Sequence, residues 1–257
     1  MKNAVIASLF LVPALLLTFF PAGCSGFSSD SEAALEAARV AILEEFNRVN
    51  IELRRAAERL GASGLTGCDA RSALEDLYLA IPSAVDCAAV DSRGIMVTIE
   101  PASYRHHENK DISGQEQVKR MLDRREPVMT GIFLTVEGIE AGDAEYPVFG
   151  PEGAFLGSVS LLFSPEKLLD GALSPVSGKT DGLVVIETGG RILRHSDGAR
   201  VGTNLFASAG FKSDERMRRL GERLAAELEG RDGPTGASWK SVELYNGFWR
   251  IVDLPSR

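Results

Sequence analysis

Residues 145–163, EYPVFGPEGAFLGSVSLLF, set two apolar runs on either side of a Gly-Pro-Glu-Gly turn and lead straight into Ser164-Pro165-Glu166. Val159, Leu161 and Phe163 alternate with Ser158, Ser160 and Leu162, the period of a strand with one buried face. Gly150 and Gly153 let the backbone reverse between the runs. Pro165 has the φ of a first helical residue, and the Ser164 hydroxyl stands where it accepts a bond from a helix-start N–H. The stretch reads as strand, tight turn, strand and helix start.

The same grammar extends upstream. Residues 84–90 and 95–99 read as a hairpin turning at Asp91-Ser92-Arg93-Gly94. A polar segment from Tyr104 to Asp111 follows, and Ser113-Gly114-Gln115-Glu116 opens a short helix that ends before Pro127. Residues 128–136 read as one strand. Further back, Ser29-Asp30-Ser31-Glu32 has the form of a capping box. Beyond it Leu35, Ala38, Ile42, Phe46, Val49, Leu53, Ala56 and Leu60 recur at helical spacing, which predicts one amphipathic helix of about 30 residues. A coiled coil is the competing reading; packing on the globular part that follows is adopted. A second helix is predicted over 70–81, stopped by Pro82.

VDCAAVDSRGIMVTIEP (85–101), DISGQEQV (111–118), EPVMTGIF (126–133) and the hairpin of 145–163 resemble, in that order, successive segments of Cache domains. These are PAS-like extracytoplasmic sensors, and the wording is similar to that of stand-alone Cache-type lipoproteins of methanogenic archaea. Residues 174–257 resemble a second such module more loosely. Strands are read at 183–187, 191–195, 237–244 and 248–254, with VGTNLF (201–206), a helix over 214–228 and a Tyr245-Asn246-Gly247 turn between them. That is one strand fewer than a full module. The expected fold is α+β: a long N-terminal helix packed on a PAS-like antiparallel sheet, then a smaller, degenerate second module. The expected divisions are a lipoprotein-type signal at 1–23, a linker at 24–30, the helix and first module at 31–173, and the second module at 174–257.

Met1-Lys2, an apolar run over 4–20 and Pro21-Ala22-Gly23-Cys24 have the layout of a secretory signal. Ala22-Gly23 before Cys24 looks like a lipoprotein processing box, with Pro21 where that pattern usually has Leu. Lipidation of Cys24 is the reading adopted. An uncleaved helix is the alternative, the run being just short of the roughly 20 residues that span a bilayer. Either places the remainder outside the cytoplasm, tethered to the membrane. Setting Cys24 aside leaves Cys68 and Cys87, which an oxidising compartment predicts to be a disulfide worth roughly 3 kcal/mol; two free thiols are the alternative.

With 36 acidic and 28 basic residues the net charge is −8, and no basic stripe exists for a nucleic-acid partner. No second apolar span is present, so the chain is not expected to carry a signal across a membrane by itself. Nucleophile elbows, phosphate loops and dinucleotide fingerprints are missing, so neither an enzyme nor a cofactor is expected. His106-His107-Glu108 with Asp111 is the best metal candidate and is read as a solvated loop instead; no metal is expected.

The resemblance implies a small polar ligand held between the sheet and the loop and helix that cover it. Asp111 and Ser113 match that segment, while Gln115 and Gln117 stand where the family often has Arg or an aromatic residue, a departure from its amino-acid-binding pattern. Arg120 is suited to a bidentate grip on a ligand carboxylate, or to a helix ion pair. Met129, Ile132 and Phe133 are read as core, and Tyr104 and Tyr146 as ligand contacts. Glu137, Glu140, Asp143 and Glu145 form an acidic cluster able to receive an ammonium group or a divalent cation. A solvated loop is the plainer reading, and only Glu137 is kept as a ligand contact. The function expected is a membrane-tethered sensor that passes occupancy to an envelope receptor or transporter. A structural adaptor lipoprotein without a ligand is the alternative.

Overall fold

The computed structural model describes residues 26–255 apart from 181 and 246. The signal-like segment, Cys24 and Asn246 of the expected turn lie outside the described residues. Helix α1 (Gly26–Ser63) runs for 38 residues, about 57 Å of rise. It begins before the capping box, so Ser31 lies within the helix and its hydroxyl donates instead to Asp253, 2.5 Å away. The expected linker at 24–30 is therefore helical from Gly26 onward.

Helix α2 (Cys68–Ala80) leads through a short turn into β1 (Ala84–Asp91) and β2 (Met96–Glu100). Then come α3 (Glu116–Arg124), β3 (Val128–Met129), β4 (Phe133–Leu134), β5 (Glu140–Phe149) and β6 (Phe155–Phe163). Helix α4 (Pro165–Leu173) starts where the sequence places it, with the Ser164 hydroxyl accepting from the Lys167 N–H at 3.3 Å. These strands form an antiparallel sheet in the order β2-β1-β6-β5-β3, with β4 paired to β5. The segment read as one strand over 128–136 is two short strands. Between them the Ile132 N–H leaves the sheet and donates to the Glu187 carboxylate, 2.9 Å away and 55 residues along the chain.

A second antiparallel sheet contains β7 (Leu183–Glu187) and β8 (Ile192–Arg194), which precede α5 (Ala209–Ser213) and α6 (Glu215–Ala226), and then β9 (Gly230–Arg231), β10 (Ser238–Leu244) and β11 (Gly247–Asp253). Its order is β8-β7-β11-β10-β9, the same winding as the first sheet. The strand missing from the sequence reading is β9, whose Gly-Arg pair carries turn residues and is too short for a periodic signal. The second sheet is thus topologically complete.

The apolar stripe of α1 lies across both sheets. Phe46 packs edge-on against Phe163 of the first sheet and Trp249 of the second, with ring centroids 6.0 and 5.2 Å apart. Near its N-terminus α1 meets the second sheet through Lys240, which pairs with Glu32 and Glu36 at 2.7 and 3.1 Å. Near its C-terminus it lies so close to the first sheet that a Cβ at Gly61 would stand 2.3 Å from the Phe149 carbonyl oxygen. Among the described residues no helix is long and apolar enough to cross a membrane.

Cys68 and Cys87 are both free thiols, which corrects the expected disulfide. Cys68 opens α2, roughly 18 Å of helix from Ala80, whereas Cys87 sits only about 10 Å into β1 from the same turn. Cys68 is exposed and Cys87 is fully buried under α1, where burial pushes its thiol pKa up.

Candidate ligand-binding site

Strand periodicity divides the first sheet into an inner and an outer face. Cys87, Ala89, Ala144, Val159, Leu161 and Phe163 point toward α1 and join the main core. The alternate residues point outward: Asp86 on β1, Asp143 and Glu145 on β5, and Ser158 and Ser160 on β6. The cross-strand register sets Asp86, Leu162 and Asp143 in one row, and Ala88, Ser160 and Glu145 in the next. Three acids therefore share one sheet face, with Asp86 and Asp143 about 10 Å apart across the intervening strand.

The connection from β2 to β5 covers this face. Ile112 and Val118 pack on Ala88 and Val90, with Tyr104 against the same cluster. Between α3 and the broken strand segment opens a cleft of about 420 Å³, lined by Gln115, Gln117, Arg120, Met129, Thr130 and Phe133 among others. Gln115 and Phe133 also line a smaller recess of about 20 Å³, whose other walls include Asp86, Thr135, Glu137, Asp143 and Ser160.

The recess is acidic, buried and short of donors. Asp86, Glu145 and Asp143 are 0%, 1% and 4% exposed. Asp143 is the best supported, accepting from Ser160 at 2.7 Å and from Gln117 at 3.4 Å, while Ser158 donates to Glu145 at 3.1 Å. Both carboxylate oxygens of Asp86 and of Glu137, Oε1 of Glu145 and Oγ1 of Thr135 are buried without a hydrogen-bond partner. Burial, then the nearby charges of Glu137 and Asp143, push the Asp86 pKa up to about 8. Burial also raises Asp143, and burial and then the charge of Asp143 raise Glu145. Tyr104 is raised as well, first by burial and then by the charges of Asp86 and Glu137, which puts its hydroxyl within their field.

The structure brings together part of the set expected from sequence. Gln115, Gln117 and Arg120 line the cleft, Glu137 lines the recess and Tyr104 stands beside it. Asp111 and Ser113 do not reach the cavity: Asp111 is exposed and its carboxylate accepts the Ser113 N–H at 2.9 Å, closing a local turn. Tyr146 lies on the opposite sheet face, packed against the core beneath α1. Arg120 forms the helix ion pair, 3.0 Å from Glu116. The solvated-loop reading of the acidic cluster fails for Asp143 and Glu145, which belong to a covered strand, while Glu140 is exposed at the start of that strand. Asp86 was missed, and its only sequence signal is a charge within the apolar run AVDCAAV.

His107 is buried and 2.5 Å from the Lys110 ammonium, while Glu108 pairs with Arg71 at 2.9 Å. Among the described residues no group of three or more His, Cys, Asp or Glu is arranged to hold a metal ion.

A model of the HK/GC/chemotaxis protein-like sensor domain matches residues 44–165. The extracellular ligand binding receptor from Desulfohalobium retbaense superimposes with a TM-score of 0.74 at 26% identity, covering 89% of this chain and 40% of that one. The ligand-binding domain of the Pseudomonas fluorescens chemoreceptor CtaA, in complex with L-valine, gives a TM-score of 0.62 at 15% identity over 90% of this chain and 99% of that domain. The chain has a Cache-like sensor fold. The ligand-binding domain of the Pseudomonas aeruginosa amino acid chemoreceptor PctC, in complex with GABA, has a TM-score of 0.59 at 14% identity over 89% of this chain and 97% of that domain. The chain thus spans 40% of the length of the Desulfohalobium receptor and nearly all of the two chemoreceptor domains. No curated protein matches the chain.

Proposed function

We propose that the chain is an extracytoplasmic, membrane-tethered sensor that binds a small molecule against the outer face of its first sheet and passes occupancy to an envelope partner. One observation carries this reading: Asp86 is wholly buried at the inner end of a cleft, and neither of its oxygens has a partner. Buried polar groups are almost always paired, so an orphan acid beside a cavity marks where a ligand supplies the missing partner. The chemoreceptor domains of like fold hold L-valine and GABA, small molecules of the scale such a cleft admits.

Occupancy has a physical route to the second module. The cleft-lining Ile132 N–H donates to Glu187 at the end of β7, and Arg191 binds Glu140 at the start of β5. A Cβ at Gly131 would meet that Glu187 oxygen at 2.9 Å, so the cleft rim and the second module are in close contact. The test is a thermal-shift screen of the full-length chain against amino acids, carboxylates, amines and metal ions. A compound that binds only the folded state must raise its melting temperature. No shift across all four classes would overturn the sensor reading. For the tether, Cys24→Ser is expected to release the protein from membranes; retention would refute acylation.

A further inference from the structure

Resting on the reading of the cleft as a ligand site, we propose that its occupant is a primary aliphatic amine without a carboxylate, a diamine above all. Among the described residues lining the recess are three carboxylates, Asp86, Glu137 and Asp143, and no Lys, Arg or His. Asp86, Glu137 and Thr135 contribute buried oxygens with no partner, and Asp86 is 0% exposed. A group that satisfies them must carry several N–H bonds, and a positively charged one forms the stronger, charge-assisted bonds to carboxylate oxygens. A primary ammonium does both, whereas a quaternary ammonium has the charge and no N–H.

Size gives the same answer. About 20 Å³ of recess is enough for one water-sized group, which suits an ammonium and excludes a guanidinium or trimethylammonium head. Phe133 and Gln115 wall both the recess and the cleft, so an alkyl chain leaving the ammonium passes along Phe133 to Val128, Met129 and Ile132.

The cleft offers little to a carboxylate. Among the described residues lining the cleft and recess, Arg120 alone is basic, and Glu116 already occupies it at 3.0 Å. The Gln117 amide nitrogen is likewise engaged, by Gln115 at 2.6 Å and Asp143 at 3.4 Å. At the outer end Glu116, whose side chain is 86% exposed, has acceptor capacity left for a second ammonium beside Arg120. A divalent cation is disfavoured because, among the described residues, no three ligating side chains converge.

The experiment is calorimetry and thermal shift on the full-length chain with four probes of one length: cadaverine, pentylamine, δ-aminovalerate and valerate. Cadaverine is expected to bind tightest and to raise the melting temperature by roughly 5–10 °C at a hundred times its dissociation constant. Pentylamine should follow, δ-aminovalerate should bind about tenfold more weakly than cadaverine, and valerate should not bind. Asp86→Asn should abolish the cadaverine response while unfolding at or above the wild-type temperature, and Glu137→Gln should weaken it. If δ-aminovalerate or valerate binds as tightly as cadaverine, or if a folded Asp86→Asn protein keeps the full response, the amine assignment is overturned while the ligand site stands. If none of the four probes nor any compound of the wider screen shifts the protein, the ligand site itself is overturned.

Discussion

The two sheets are wound alike and share α1, yet their outer faces have opposite chemistry. On the second sheet Val184, Ile186, Trp239 and Val252 meet Phe211, Leu220 and Leu224 of α5 and α6, and the face is filled by side chains. On the first sheet the equivalent face carries Asp86, Asp143 and Glu145, and its covering helix stands off to leave a cleft. Even the buried charge differs: the second module buries Arg250, whose Nε donates to the carbonyls of Leu224 and Glu227 at 3.1 and 3.0 Å. One winding therefore supports a packed layer in one case and a binding cavity in the other. The choice rests on which residues occupy the outward positions of three strands.

The strongest way to break this comparison is at Trp239, which is 1% exposed, lies under the Arg223 guanidinium at 4.8 Å and packs so closely on Gly230 that a Cβ there would stand 2.4 Å from its ring. Trp239→Ala should cost about 4 kcal/mol in denaturant unfolding and leave the ligand response of the first module in place. Loss of that response in a folded variant would show that the two faces do not work separately.

Asp86→Asn should move stability the other way. In the folded chain the Asp86 pKa rises from 3.8 to about 8, so the native state keeps a proton that the unfolded chain releases. This group's contribution is full below pH ~4 and is lost as pH rises toward ~8, with no further change above. Asp143 and Glu145, also raised, act in the same direction and remain in the variant. Replacing this acid by a neutral amide, which needs no proton uptake on folding, should stabilise the protein by on the order of 3 kcal/mol near neutral pH and flatten the pH dependence of its unfolding by about one proton. An unchanged pH profile would place Asp86 in contact with solvent.

The link between modules should respond more weakly. Glu187→Ala removes the acceptor of the Ile132 N–H and should cost about 1 kcal/mol, with faster hydrogen exchange at Ile132 as the specific sign. Arg191→Ala breaks a pair whose Glu140 partner is 56% exposed, and should cost no more than about 0.5 kcal/mol. Equal effects from the two would show that the contact is general surface packing and not a directed bond.

The elements themselves were legible because their signals are local. The α1 stripe, the hairpin of β5 and β6, the Ser164 cap and the order of helices and strands through the first module all follow from spacing and turn residues. The candidate site was legible only along α3, where Gln115, Gln117 and Arg120 fall on the expected segment. Asp86 looked like one charge in an apolar strand, and Asp143 and Glu145 looked like a solvated loop, because strand period says that alternate residues share a face without saying what covers it. The break in the segment over 128–136 was hidden for a similar reason: its cause is Glu187, from the other sheet.

By itself the sequence determined the α+β class, the long helix and the phase of each strand, since these depend on neighbours a few residues apart. Only the tertiary structure decided that the outward acids are buried and unpaired, that Tyr146 faces away from them and that Cys68 and Cys87 are apart. Each of these depends on which elements meet across the sheet, and burial turns a charge that water would screen into one that needs a partner.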